Sequence, residues 1–498
     1  NCIRTHPVTE AVLVLPELAL LLTIAGLFAG EAGHYGEKVR LSTAIAILGL
    51  GSACIQSLLT YQFGPQRAFD GAYTVDGMAI FFKVFFSLSA ALVITILTQS
   101  KEIPTERRSE ATGLIVAAVL AANVAVSATN LILLFVSLLF LGVTSALACG
   151  LGKSRDASAE GATKLFLFGG FSLAILLYTG GVIFAATRAL SYPDIHAALL
   201  LHPFPKTTAL VVFVFFLFSI GWMLLAFPMN LAGQDALDGA PTPVSAFLAI
   251  VPRAAALVVL LRFVMSVFAT IKNTDGGAWE IFGALDWTNI MEIVCALTLS
   301  VGALMSTRQV SAKRLVAFLM MVQTGFALMG VLVLNNAGLV GMLYSLLVEV
   351  FAAAGVYFVL ARLIDVSGGD RFDQLRGVLG KSPFEGAFFI FFLASLVGLP
   401  PAPGFIGKFM LIGVAAQNGR YFLAITALAA VAISTISFAK MTISLIGRAE
   451  LDFSEFGSWP DRYRTGVLAL LGAPILMIGV FAEPVIQWAE KSLALILW

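Results

Sequence analysis

Lys408 is the residue of this 498-residue chain best placed to do chemistry. It follows Ser395-Leu396-Val397-Gly398-Leu399-Pro400-Pro401-Ala402-Pro403-Gly404-Phe405-Ile406-Gly407 in an apolar segment, roughly residues 385–417, that carries no other charge after Glu385. Proline removes a backbone donor and clashes one turn back, so the helix must break at Pro400 and Pro401. Such a break is tolerated in lipid only where it is enclosed by protein or lines a water-filled cavity. Half-helices meeting beside an ionisable group are how ion-translocating proteins hold a charge. The chemistry on offer is proton exchange, because an ammonium releases its proton when desolvation or a neighbouring cation drives it to. The plainer alternative is a lysine that reaches for the headgroups. Apolar residues on the Gln417 side and the broken helix on the other argue against it.

Four more polar groups fall inside apolar spans. Glu349 lies mid-span, where an isolated carboxylate must face a cation or keep its proton; Lys408 is the partner expected. Gln323 lies mid-span as well. Arg253 is deep in its span, and a guanidinium, which holds its proton far more tightly than an ammonium, serves as a fixed charge rather than a carrier. Lys440 has Ser434, Thr435 and Ser437 within one to two turns. Other charges take simpler readings. Lys83 snorkels or is buried, Glu110 and Arg262 are interfacial, and Asp235 and Asp238 sit hydrated in a loop. Cys2, Cys54, Cys149 and Cys295 are far apart with no metal spacing, and His6, His34, His196 and His202 fall in or near loops. No nucleotide loop or nucleophile elbow stands out, so this chain is not expected to perform covalent chemistry.

The elements that must position these groups are transmembrane helices. The chain is 59% hydrophobic and 12% charged with 40 Phe and 45 Gly, and its mean hydropathy is +0.96. A net charge of +1 suggests no nucleic-acid partner. Apolar runs long enough to cross a bilayer number about fourteen, at 9–29, 40–62, 76–98, 109–127, 130–150, 162–187, 207–228, 242–269, 287–306, 313–334, 337–361, 385–417, 421–447 and 465–488. Most lysines and arginines follow odd-numbered spans, among them Lys101, Arg107, Arg108, Arg308, Lys313, Arg314 and Arg371, which puts both termini on the non-cytoplasmic side. Two blocks of five spans look alike, and the fourth of each is broken by proline, at Pro228 and at Pro400-Pro401. Matching interrupted helices in two halves mark an inverted-repeat fold, since five crossings turn the second copy over. The expected architecture is an all-α polytopic membrane protein. It comprises a three-helix segment (1–108), a first repeat (109–275), a second repeat (276–448) and a last helix (449–498).

The residues then carry a resemblance. The chain resembles the antiporter-like membrane subunits of proton-pumping NADH-quinone oxidoreductase (respiratory complex I), and among them the subunit N family. The likeness runs over nearly the whole chain, from Val75-Asp76-Gly77-Met78-Ala79-Ile80-Phe81-Phe82-Lys83 to the thirteenth span. Its strongest parts are the stretch 396–409, Ala432-Ile433-Ser434 with Lys440, and Gly239-Ala240-Pro241-Thr242-Pro243-Val244-Ser245-Ala246-Phe247-Leu248. Thr163-Lys164 and Lys313-Arg314-Leu315-Val316-Ala317 match too. The Gly-Lys-Phe ending at Phe409 favours subunit N over its sister M, which carries a glutamate there.

That resemblance implies a chain of ionisable groups across mid-membrane, and this sequence departs from it in the first half. The glutamate of the fifth span falls on Leu139, the lysine of the seventh on Met223 and the lysine of the eighth on Arg253. Removing one member of a buried pair strands a charge at a cost of about 3–5 kcal/mol, whereas losing both together does not. In the second half Gln323 stands where relatives often have histidine, and Glu349 where they are apolar or aromatic. The expectation is a subunit whose second half conducts protons through Lys408, Glu349, Lys440, Arg253 and Gln323 while its first half is sealed and dry. NADH, FMN, iron-sulfur clusters and quinone belong to other subunits under this reading, and this chain holds no cofactor. Its partners are other membrane-arm subunits, which Glu17 and Glu292 contact, and the lipid of a bacterial cytoplasmic membrane or an equivalent organelle membrane. The rival readings are an electrostatic spacer that pumps nothing, or a subunit of a cation/proton antiporter or membrane-bound hydrogenase.

Overall fold

The structure, a computed structural model, describes residues 7–30, 35–152, 155–271, 279–281, 287–377, 379, 383–447 and 462–494; Cys2, His6 and His34 lie outside them. Helices α1 (Pro7–Leu13), α2 (Leu15–Gly30), α3 (Tyr35–Thr60) and α4 (Gly77–Gln99) form the N-terminal segment. The first block follows as α5 (Arg108–Ser127), α6 (Leu131–Cys149), α7 (Arg155–Thr187), a short α8 (Tyr192–Leu201), α9 (Lys206–Leu224), α10 (Asn230–Gly239) and α11 (Thr242–Phe263). The second comprises α12 (Trp287–Thr307), α13 (Ala312–Val333), α14 (Asn336–Ser367), α15 (Pro383–Val397), α16 (Gly404–Gln417) and α17 (Tyr421–Ile446). Helices α18 (Arg462–Val480) and α19 (Ala482–Ala494) end the described chain. Among the described residues, 12 helices are long and apolar enough to span a membrane. The shorter α2 and the end-to-end pair α15–α16 complete about fourteen crossings. The last crossing stops at Val480, eight residues short of the expected end, and α19 then lies as a separate helix packed against α4 and α14.

Local chemistry explains where these helices begin. Asp76 caps α4 by accepting from the Ala79 amide at 2.8 Å, and Asn130 caps α6 through the Ile132 amide at 2.9 Å. Ser311 and Asn335 do the same for α13 and α14 at 3.1 and 2.8 Å. Each side-chain oxygen satisfies an amide that has no partner inside its helix. Two antiparallel strand pairs, Gln66–Ala68 with Tyr73–Val75 and Ala269–Ile271 with Trp279–Ile281, fall between α3 and α4 and between α11 and α12.

Both breaks fall in the fourth crossing of their block. In the first, α9 ends at Leu224, Leu225 turns left-handed (φ 59°), and α10 starts at Asn230, with Pro228 in the gap. In the second, Gly398 (φ 86°) ends α15, and Pro400, Pro401 and Pro403 precede α16. Helix α11 lies at the centre, with every residue buried from Thr242 through Phe268, and α13 and α14 flank it. By contrast α7, α17 and α18 keep most of their surface on the outside.

Candidate functional site

Lys408 lies in the second turn of α16 and is buried (5% exposed). Its Nζ donates to the carbonyls of Leu396 (2.9 Å) and Val397 (2.7 Å), and stands 4.9 Å from the Phe326 ring centroid. Those carbonyls belong to the last turn of α15, where the break removes their helical partners and where the helix dipole is negative. Gly398 makes the approach possible. A Cβ there would stand 2.6 Å from Lys408 Cδ, and its left-handed φ already disfavours a side chain.

A cavity with about 10 Å³ of free volume opens beside the ammonium, lined by Gln323, Phe326, Ser345, Glu349, Ser395 and Lys408, among others. That is room for roughly one water molecule. The hydroxyls of Ser345 and Ser395 face no hydrogen-bond partner among the described residues, so the walls are polar enough to hold one.

Glu349 shares this cavity, but its partner differs from the one expected. Its carboxylate pairs with the guanidinium of Arg253 on α11, not with Lys408. Arg253 also donates from Nε to the Ala249 carbonyl (2.8 Å) and reaches Thr324 Oγ1 from Nη1 at 3.4 Å. The reason is geometric. A guanidinium serves several acceptors at once from a fixed fork, while the ammonium already has two carbonyls at the break. Both members of the pair are buried, at 2% and 4% exposed, and they join the two blocks across the centre of the molecule.

Lys440 does not line this cavity. It is exposed on α17 and donates to the carbonyls of Thr307 (3.0 Å) and Gln309 (3.4 Å) at the end of α12. Such a cation caps a helix C-terminus. Gln323 lines the cavity.

The first half is built of different material. Met223 is buried against Trp222 and α6, where a Cβ on Gly142 would meet both side chains at 3.6–3.7 Å. Leu139 is 40% exposed on the outer face of α6. The cavity beside Met223 has about 20 Å³ of free volume, with Ser145 among walls formed mainly by Trp222, Leu225, Leu237, Leu248 and Pro252. At the break itself, Thr324 Oγ1 donates to the Leu224 carbonyl (2.5 Å), and the Phe227 amide donates to Thr298 Oγ1 (3.1 Å). Both hydroxyls come from the other block. Pro228, Pro400 and Pro401 all occupy the breaks.

Charges given simpler readings also have partners, and Lys83 and Arg262, the latter read as interfacial, belong to buried pairs. Glu17 meets Lys83 at 2.9 Å, and Lys83 Nζ also donates to the Tyr73 hydroxyl at 2.6 Å. Arg262 grips Asp76 with two bonds of 2.8 and 2.9 Å. Partly exposed pairs join Asp235 to Lys164 (2.6 Å) and Arg314 (3.0 Å), and Glu292 to Arg420 (2.8 Å). These partners come from distant parts of the chain, so single-span spacing gave no sign of them. The hydroxyls of Thr298, Thr324, Ser345 and Ser395 were passed over for another reason. A hydroxyl inside a helix normally bonds its own preceding turn, and only its neighbours show otherwise.

Comparison with known proteins adds an independent line. Residues 128–434 match the family described as NADH:quinone oxidoreductase/Mrp antiporter, transmembrane. The NADH-quinone oxidoreductase subunit N of Chlorobium chlorochromatii is 29% identical over 485 residues, covering 96% of this chain and 94% of that one. A chain of respiratory complex I from Thermus thermophilus, solved with bound aureothin, superposes with a TM-score of 0.75 at 24% identity, covering 97% of this chain and 99% of its own. A chain of the Mrp complex from Dietzia sp. DQ12-45-1b superposes with a TM-score of 0.82 at 16% identity, covering 98% and 97%. At these identities the two structures speak to the fold alone.

Proposed function

The chain belongs to the NADH:quinone oxidoreductase/Mrp antiporter transmembrane family, and from that premise we propose that its second half conducts protons while its first half is sealed. It serves as an antiporter-like membrane subunit of an NADH-quinone oxidoreductase, beside other membrane-arm subunits in an energy-converting membrane. Electron transfer from NADH to quinone, with the flavin and iron-sulfur groups it requires, is work for other subunits. The observation that carries the reading is the setting of Lys408. It is a buried ammonium held by two carbonyls at a helix break, beside a polar cavity shared with Gln323 and the Glu349 carboxylate.

Each residue then has a part. Lys408 accepts and releases the proton, because its bonds to carbonyl oxygens favour the ammonium without neutralising it as a carboxylate would. Glu349 exchanges with it through the cavity that both line. Arg253 keeps its proton and acts as the fixed charge that holds Glu349 ionised until a proton arrives. In the first half, Leu139 and Met223 have no proton to exchange, and the apolar walls around Met223 support a dry region.

The test is a pair of substitutions in the assembled complex reconstituted in vesicles. Lys408→Met keeps the length of the buried stem and leaves assembly in place, but abolishes the protons moved by this subunit. Lys408→Arg fails equally, since it keeps charge and loses exchange. If the arginine variant pumps as the parent does, Lys408 is a static post and the reading is wrong.

A further inference from the structure

Consecutive residues of α13 face the two sites. Gln323 lines the cavity of Lys408, and Thr324 points at the break of the first block. The Thr324 hydroxyl has one proton, and two carbonyls compete for it. The Met320 carbonyl, one turn back on its own helix, is 3.3 Å away, whereas the Leu224 carbonyl is at 2.5 Å. The default bond inside a helix is to the preceding turn; here the shorter bond goes to the other block. Thr324 is 1% exposed, so this bond has no competing water at the surface.

The same oxygen is the neighbour of Arg253 Nη1 at 3.4 Å, and another nitrogen of that guanidinium holds Glu349. A continuous line therefore runs from the Glu349 carboxylate through Arg253 and Thr324 to the Leu224 carbonyl. It starts in the proton-exchanging cavity and ends at the last residue of α9, where the break of the sealed half begins. We propose that Thr324 is a positioning residue that couples the charge of Glu349 to the broken helix of the first block. While Glu349 is ionised, it anchors the guanidinium against Thr324, and the cation strengthens the bond that Thr324 donates onward. When Glu349 takes up a proton, the anchor weakens, Arg253 withdraws, and the hold on Leu224 relaxes. The first break thereby follows the charge of the second half without carrying a proton itself.

This coupling rests on reading Glu349 as a group that changes charge, but it is tested without any pumping. Amide hydrogen exchange across residues 222–230 is measured in the assembled complex for the parent, Glu349→Gln, Thr324→Val, the double variant and Thr324→Ser. A hydrogen bond to or beside a charged group is worth about 1.5–3 kcal/mol, so roughly tenfold faster exchange or more is expected for either Glu349→Gln or Thr324→Val. The double variant should be no faster than Thr324→Val alone, and Thr324→Ser, which restores the hydroxyl, should return exchange to within a few-fold of the parent. If Glu349→Gln does not assemble because Arg253 is left unpaired, Arg253→Met with Glu349→Leu removes both charges and should show the same rise. Exchange at 222–230 that ignores the loss of Glu349, or effects of the two sites that simply add, would overturn the proposal. Parental pumping in Lys408→Arg would overturn the reading of Lys408 as a proton relay while this coupling stood, so the two readings fail separately.

Discussion

In the first block the Leu224 carbonyl at the end of α9 and the Phe227 amide in the gap after it are met by the hydroxyls of Thr324 and Thr298. In the second, the free carbonyls of Leu396 and Val397 go to the ammonium of Lys408. The two breaks occupy the same place in their blocks, and both contain proline, yet one is satisfied by neutral groups and the other by a charge. A hydroxyl leaves nothing to exchange when its bond is made. An ammonium satisfies the same carbonyls and can still lose a proton. On the proposed function, a break whose partner titrates is a site, and one with a neutral partner is a joint.

The largest effect that would probe this contrast comes from the pair that bridges the blocks. Glu349→Leu alone strands Arg253 in a buried setting and should cost about 3–5 kcal/mol, whereas Arg253→Met with Glu349→Leu should lie close to the parent. Thermal unfolding of the purified complex distinguishes the two. Equal losses from the single and the paired change would mean the charges do not compensate one another.

Next comes Gly398→Ala, which strikes the second break where Lys408 crosses it. The new Cβ meets Lys408 Cδ at 2.6 Å in a left-handed conformation, at a cost on the order of 1–3 kcal/mol. Proton translocation in vesicles should fall nearly to the level of Lys408→Met. Parental pumping in that variant would show that the close approach of Gly398 does not position the lysine.

Thr298→Val sharpens the comparison from the other side. It deprives the Phe227 amide of its acceptor, costing about 1–3 kcal/mol, and should lower the unfolding temperature while leaving translocation near the parental rate. A drop in pumping larger than the drop in assembled complex would mean the first break is more than a joint. The smallest effect is expected for Lys440→Ala. It removes an exposed cap at the end of α12, worth about 0.3–1 kcal/mol, and should scarcely change translocation.

The breaks were legible in the sequence because proline and glycine act locally. Pro228, Pro400 and Pro401 announce an interruption with no knowledge of the neighbours, and the run of apolar residues places it inside a membrane. The depth of Lys408, Arg253 and Glu349 could be read the same way. Partners could not. Glu349 was matched to Lys408 because both were deep in the second block, but burial says only that a charge needs a partner, and the direction of each side chain decides which. Glu17 with Lys83, and Asp76 with Arg262, were missed on the same ground. Taken alone, Arg262 looks interfacial and Glu17 looks like a contact to a neighbouring subunit. Thr324 was invisible for a subtler reason, since its hydroxyl has an ordinary bond available on its own helix and prefers another block.

The ion pair between Arg253 and Glu349 also constrains how the chain is made. Arg253 precedes Glu349 by 96 residues, so during N-to-C synthesis the guanidinium reaches the membrane well before its counter-charge exists. A lone arginine at that depth is strongly disfavoured. Helix α11, enclosed on all sides in the finished protein, therefore cannot settle at the centre of the first block as soon as it emerges. It must wait at the interface or beside the insertion machinery until α14 arrives. The two blocks are thus obliged to mature together, and a chain truncated between them should be cleared by proteolysis rather than persist as a half-protein.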